Sequence, residues 1–108
     1  MIRGDLVTVA LQGAHGKPRP ALVIQSDLFR DTETIAVLLM SSTVVDTPLG
    51  RVTIEPSAEN GLRAPTQVMV DKPMAVPVRK IGPVFGRLDE PTLLEINRAL
   101  ALFLGIAG

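Results

Sequence analysis

Short apolar runs, broken by glycine and proline, constrain the fold of this chain more than any other feature of its sequence. Each run is only long enough for one strand, and turn-forming residues fill the connections. The runs lie at residues 5–11, 21–25, 34–42, 51–56, 66–71 and 83–88. Many short strands with such turns are typical of a small barrel. The segment at 72–80 contains two prolines, so any strand there must be an edge or irregular.

The C-terminal residues change from strand-like to helical periodicity. Asp89 is a good N-cap, and proline at position 91 suits the first turn that follows it. An apolar stripe at steps of three and four then indicates one helix, which ends at Gly105. The stripe is formed by Leu93, Ile96, Leu100 and Phe103. The sequence therefore predicts a mainly β fold of five to seven strands in a small barrel, followed by one α-helix.

Length and composition limit the classes of function. The 108 residues fit one domain, residues 1–108. Without cysteine, neither a disulfide framework nor a zinc–thiolate site is possible. Eleven basic residues balance eleven acidic ones, so the totals show none of the basic excess of most nucleic-acid binders. The chain lacks phosphate-loop and dinucleotide motifs. No run approaches a membrane span, and MIRGDL lacks the apolar stretch of a signal peptide, so we expect a cytoplasmic protein.

The loop GKPRP contains the first group of candidate functional residues, His15, Lys17 and Arg19. Pro18 and Pro20 fix their own φ angles and bias the residues before them toward extended geometry. A stiffened arginine loses less entropy on binding, and its guanidinium suits bidentate contact with phosphate. The alternative is an ordinary solvated hairpin loop.

Three further polar groups each allow a structural and a functional interpretation. Ser41, Ser42 and Thr43 end an aliphatic run, where they either mark a strand terminus or hold a phosphate near Arg19. In the run at 66–71, Gln67 and Asp71 share one face, and for a buried Asp71 tethering of a loop is the alternative to a catalytic role. The remaining basic residues of interest are interpreted as surface charge: Arg79, Lys80 and Arg87.

Taken in order, several segments resemble the MazF/PemK toxin family over nearly the whole chain. The most specific are RGDL, RPALV and the block from NGL to PTQVMVDK. The resemblance implies a small SH3-like barrel of the CcdB/PemK type and a homodimer in the cytoplasm. It also implies a metal-independent endoribonuclease, without a cofactor, that cleaves single-stranded mRNA. A cognate antitoxin from the same operon would neutralise the toxin by covering its RNA-binding surface.

The resemblance also implies roles for individual residues. Arg19 matches the catalytic arginine of the family, and Ser41 stands where the family has a catalytic threonine. Serine keeps the hydroxyl but loses the methyl group that restricts χ1. The expected RNA-binding residues are His15, Lys17, Ser42, Thr43, Gln67 and Asp71. Met69 stands where some members have an arginine, and the general base stays open, with His15 as a candidate.

Two other functions compete with the nuclease. CcdB has this fold and poisons gyrase through its C-terminal helix, but the FLGIAG ending offers no obvious polar epitope. A catalytically weakened homologue that only binds its antitoxin is the second alternative. Few aromatic residues for base stacking, the zero net charge and Ser41 favour it.

Overall fold

A single sheet of six antiparallel strands and one C-terminal helix form the structure, a computed structural model that describes residues 1–11, 17–47 and 49–107. The strand order is β4-β5-β3-β2-β1-β6. A short 3₁₀ turn at Val78–Lys80 precedes the last strand. The bounds are β1 (Asp5–Val9), β2 (Arg19–Val23), β3 (Thr34–Ser41), β4 (Arg51–Ile54), β5 (Thr66–Pro77), β6 (Ile81–Arg87) and α1 (Glu90–Phe103). This confirms the predicted mainly β fold with a C-terminal helix.

The β4–β5 connection closes the sheet toward a barrel by packing on its other edge strand, β6. The Arg87 N–H donates to the Glu59 carbonyl at 3.1 Å. Gly86 lies so close to the Asn60 backbone that a Cβ atom there would overlap the Asn60 carbonyl. Glycine at position 86 is therefore required by close approach of two backbones.

Two apolar clusters lie on opposite faces of the sheet. The inner cluster lies under α1 and consists of Leu6, Leu22, Leu38, Met40, Val52, Ile54, Val68, Val70, Leu88 and Ile96. The outer cluster consists of Val7, Val9, Ala21, Val23, Val37 and Val76. Successive side chains of a strand point to opposite faces, so β1, β2 and β3 are apolar on both faces. These strands therefore form the centre of the core.

The second half of β5 explains how a strand accommodates two prolines. Only Thr66–Met69 pair with β4, so the later residues form an edge. The Val78 N–H donates to Glu33 on the β3 side, and alternation then turns the nitrogens of Pro73 and Pro77 toward the open edge. The β3–β5 register also shifts between Leu38 and Met40. The expected edge or irregularity is confirmed on both counts.

Helix α1 begins as the sequence indicates, but its apolar stripe is buried only in part. The Asp89 side chain accepts a hydrogen bond from the Thr92 N–H at 2.9 Å. Ile96 is fully buried and Leu100 packs against the inner cluster. Phe103, however, is 48% exposed, because α1 contacts β4 and β5 mainly through its middle turns. None of the helices in the described ranges has the length and apolar content needed to cross a membrane.

One interpretation of surface charge was wrong. The Arg87 Nη1 atom forms an ion pair with Asp5 Oδ1 at 2.7 Å, and Asp5 is only 8% exposed. Asp5 also accepts from the Ile2 N–H. Arg87 is thus the partner of a buried carboxylate. The two residues are 82 positions apart, so a local sequence pattern cannot indicate the pair. Comparable hydrogen bonds to a charged group contribute about 1.5–3 kcal/mol.

Candidate functional site

Arg19 is the first residue of β2 and lies at the rim of the sheet. Its main chain pairs with Val9 of β1, while its side chain is exposed. Within the described part of the chain, its guanidinium has neither a hydrogen-bond partner nor a carboxylate within 4.0 Å. The strand thus begins two residues earlier than predicted, because Arg19 and Pro20, held extended by the prolines, still pair with β1. An anchored backbone therefore presents an accessible cation.

Pro20 ends the ladder between β2 and β3 next to Arg19. The Ile24 N–H donates to Ala36 of β3, so by alternation the Pro20 nitrogen faces β3 as well. Proline has no N–H to donate. The last paired residues are accordingly Ala21 and Leu39. Beyond them, β2 and β3 are not paired with each other, although each still pairs with its other neighbour.

The strand registers align Arg19 with the predicted hydroxyl site. β2 and β3 pair as far as Ala21 and Leu39, and Arg19 and Ser41 are the residues two positions further along each strand, on the same face as that pair. Ser41 pairs with Gln67 of β5, and Gln67 pairs with Thr53 of β4. Cross-strand partners share one face. We call the four residues Arg19, Ser41, Gln67 and Thr53 the Arg19 row, and it lies on the face opposite to the inner cluster.

The segment that follows β3 is held to this row by hydrogen bonds. The Ser41 hydroxyl accepts from the Thr43 N–H at 3.1 Å, which forms a local turn. Gln67 accepts from the Val45 N–H at 3.0 Å and donates to the Val45 carbonyl at 2.9 Å. Its amide also donates to the Thr53 hydroxyl. Gln67 is 4% exposed, so it is the tether that holds the segment 43–45.

The other predicted site residues lie around the row, with one exception. Lys17, Ser42 and Thr43 are exposed at the same end of the barrel. Asp71 is also exposed, rather than buried, and lies over Gly50, where a Cβ would be 3.7 Å from Asp71 Cγ. A tether role thus belongs to Gln67 and not to Asp71. His15 lies outside the described residues.

Arg51 is a site residue that the sequence pattern did not lead us to select. It is the first residue of β4 and pairs with Met69. Its Nη1 atom donates to the Thr43 carbonyl at 3.3 Å and to Gln67 Oε1 at 3.4 Å. The alternation in RVTI, with Val52 and Ile54 in the inner cluster, was the available signal, since it turns Arg51 and Thr53 outward.

The row joins an exposed guanidinium to a group of hydroxyls, which is an arrangement suited to a phosphate. Arginine offers planar, bidentate donors to phosphate oxygens, and serine can donate while it accepts elsewhere. Across the residues that the structure describes, no cluster of three or more His, Cys, Asp or Glu could hold a metal ion.

Comparison with known proteins gives a family for this site and fold. Residues 2–104 match the family model described as PemK-like, MazF-like toxin of type II toxin–antitoxin system. A probable endoribonuclease MazF from Mycolicibacterium smegmatis is 43% identical over 109 residues, and the match covers 100% of both chains.

Solved structures show the same fold at lower identity. An endoribonuclease in complex with its cognate antitoxin, from a mycobacterial species, has a TM-score of 0.84 at 23% identity, covering 100% of this chain and 98% of that one. A MazE–MazF complex from Deinococcus radiodurans has a TM-score of 0.77 at 21% identity, covering 99% and 98%. With the family match over nearly its full length, the chain belongs to the PemK-like, MazF-like toxins of type II toxin–antitoxin systems.

Proposed function

We propose that this toxin is an endoribonuclease that cleaves single-stranded mRNA at the Arg19 row. The observation that carries the proposal is that Arg19 and Ser41 each lie two residues beyond the last β2–β3 pair on the same face, where Arg19 is exposed and Ser41 is half-buried. The 43% identity to a probable endoribonuclease MazF over the full chain supports the same reaction. Residues 1–108 would act as one toxin domain.

The proposed reaction uses the RNA's own 2′-hydroxyl as nucleophile. Its oxygen attacks the adjacent phosphorus and loses its proton to a base, while the bond from phosphorus to the 5′-oxygen breaks and that oxygen takes up a proton. The products carry a 2′,3′-cyclic phosphate and a 5′-hydroxyl. Negative charge grows on the phosphorane oxygens, where the Arg19 guanidinium stabilises it by preorganised electrostatics. Such a mechanism needs neither a metal ion nor an organic cofactor.

Ser41 would orient a non-bridging oxygen of the same phosphate. Its oxygen accepts the Thr43 N–H, which leaves its own hydrogen available to donate. Lys17, Ser42, Thr43 and Asp71 would contact RNA from the surrounding rim. Gln67 would act through the tether and not by direct contact, because its amide is buried and already hydrogen-bonded. His15 remains the candidate base on sequence grounds alone.

The proposed partners follow from the toxin family. The chain would act as a homodimer in the cytoplasm, where mRNA is available, and would be neutralised by a MazE-like antitoxin from its own operon. The two related structures that hold an antitoxin or MazE support this assignment.

The test incubates purified protein with long single-stranded RNA in EDTA, beside an all-deoxy oligonucleotide of matching sequence. We expect site-specific RNA fragments with 5′-hydroxyl ends and intact DNA. Fragments with 5′-phosphate ends, or cleavage of DNA at the same rate, would contradict the proposed chemistry. Intact RNA with folded protein would instead favour a toxin that only binds its partners.

A further inference from the structure

Arg51 is a cation of the site face with unused hydrogen-bonding capacity. Its guanidinium has five N–H donors, yet only Nη1 has partners among the described residues, and both are long contacts. Among the same described residues, no carboxylate lies within 4.0 Å of Arg51. The ion pair that they do form joins Arg87 to Asp5. The side chain is half-buried, so its orientation is restrained while part of the charge faces solvent.

Arg51 and Arg19 lie on the same face of the sheet, where one strand of RNA could contact both. Gln67 links the two, since it stands in the Arg19 row and accepts from Arg51. Three interstrand steps separate the main chains of β2 and β4, roughly 14 Å across a flat sheet. Because Arg51 is also restrained by Thr43, we assign the two guanidinium groups to different phosphates.

The neighbour of Arg51 across the ladder is apolar. Met69 pairs with it directly from β5 and has no charge to offer a phosphate. Cross-strand partners share one face, so Met69 lies beside Arg51 without competing for an anion. Arg51 can therefore bind a phosphate on this part of the face without displacing its cross-strand neighbour.

We propose that Arg51 binds a second backbone phosphate of the substrate while it holds the Ser41–Thr43 segment in place. This inference rests on the proposed function, because it needs single-stranded RNA as the ligand. Each phosphate neutralised by a protein cation releases counterions, so Arg51 contributes to the salt dependence of binding and not only to the geometry of the site.

The experiment measures binding of a fluorescent 2′-O-methyl oligonucleotide with the mapped cleavage sequence over a range of salt concentrations. Arg51→Gln removes the charge and keeps a polar side chain, although its amide is too short to reach the Thr43 carbonyl from which Arg51 Nη1 is already 3.3 Å away. We expect the slope of log K against log salt for Arg51→Gln to become shallower by about 0.7. Its kcat/KM on cleavable RNA should fall about tenfold. Arg51→Lys keeps the charge, so its slope should match the wild-type slope.

Arg98→Gln is the matched control, because Arg98 is an exposed arginine of α1 outside the site face. It should leave both slope and cleavage unchanged. A wild-type slope in folded Arg51→Gln, with wild-type protein that cleaves RNA, overturns this inference alone. Wild-type protein that neither binds nor cleaves RNA overturns the proposed function together with it.

Discussion

Two glutamines tether loops at opposite ends of the barrel through the same kind of contact. Gln67 holds the segment 43–45, beside the Arg19 row. Gln25 donates to Phe29 and Thr32 and accepts from the Ala36 N–H. Gln25 follows the end of β2, roughly 20 Å along the strand from Arg19. Comparing the two glutamines therefore distinguishes the effect of a lost tether on stability from its effect on the site.

Replacing each glutamine by alanine tests this separation. We expect both variants to lose about 1–3 kcal/mol of unfolding free energy, because each leaves main-chain groups without their partners. Only Gln67→Ala should also lower kcat/KM for RNA, by about tenfold, since the segment 43–45 beside Ser41 loses its anchor at Val45. Chemical denaturation and cleavage assays measure the two quantities. Equal loss of cleavage in Gln25→Ala would contradict a local role for Gln67.

Ser41 allows a conservative test of the hydroxyl. Ser41→Thr keeps the oxygen and adds the methyl group that restricts χ1, so we expect kcat/KM at or above the wild-type value. Ser41→Ala removes the donor and should lower kcat by about a hundredfold. Ser42→Ala is the neighbouring control. If Ser42→Ala loses cleavage and Ser41→Ala does not, the phosphate lies on the other hydroxyl.

The N-cap of α1, Asp89, makes the stability of the helix depend on pH. The hydrogen bond from the Thr92 side chain, and next that from its N–H, hold the pKa of Asp89 below its ordinary value of 3.8. A lowered pKa in the folded state means that the carboxylate stabilises the helix above that ordinary value. This contribution is lost as pH falls through the folded-state pKa.

Asp89→Ala should therefore lower Tm at about pH 7, with a difference from wild type that shrinks toward about pH 2. Asp89→Asn caps the helix without titrating, so the advantage of the wild type over it should also vanish in acid. Circular dichroism melts of the three proteins give these differences. A gap between wild type and Asp89→Ala that stays constant with pH would refute the capping role of the charge.

Elements were predictable wherever local pattern determines them. The apolar runs gave β1, β3 and β4, and the cap with its stripe gave α1, since each depends on neighbouring residues. The bounds of β2 were wrong by two residues. Pairing with β1 extends the strand to Arg19, and at its other end the Ala36 N–H donates to the Gln25 side chain and not to the main chain of β2. The length of β5 depends on whether its proline nitrogens face a paired strand or an open edge, and the local sequence does not determine this.

In the molecule as a whole, the barrel is closed by contact between the β4–β5 connection and β6. Gly86→Ala would press a methyl group into the Asn60 carbonyl, and we expect a loss of about 3 kcal/mol in unfolding free energy. Gly105→Ala is the control, because position 105 has φ +74 but no atom within 4 Å of the place where its methyl group would lie.

The control should cost only about 1 kcal/mol, from left-handed backbone strain. Thermal or chemical unfolding compares the two variants. A Gly86→Ala protein as stable as Gly105→Ala would show that this closing contact does not stabilise the barrel.

Candidate site residues could be predicted only where their neighbours in the sequence indicate them. Arg19 was visible through its prolines, and Ser41 through its place at the end of an aliphatic run. The row that joins them depends on three registers across four strands, which no local pattern encodes. Arg51 was missed although the alternation in RVTI turns it outward, because its contacts with Thr43 and Gln67 appear only in the structure. The tether role of Gln67 likewise appears only once Val45 is placed in space.

Cleavage of RNA by Arg19 from the rim of this barrel is the proposal on which the others depend. Its decisive test compares wild-type protein, Arg19→Ala and the exposed control Arg98→Ala on one long single-stranded RNA in EDTA. We expect identical fragments with 5′-hydroxyl ends from wild type and Arg98→Ala, and intact RNA with folded Arg19→Ala. Cleavage by Arg19→Ala at the wild-type rate would contradict the proposal.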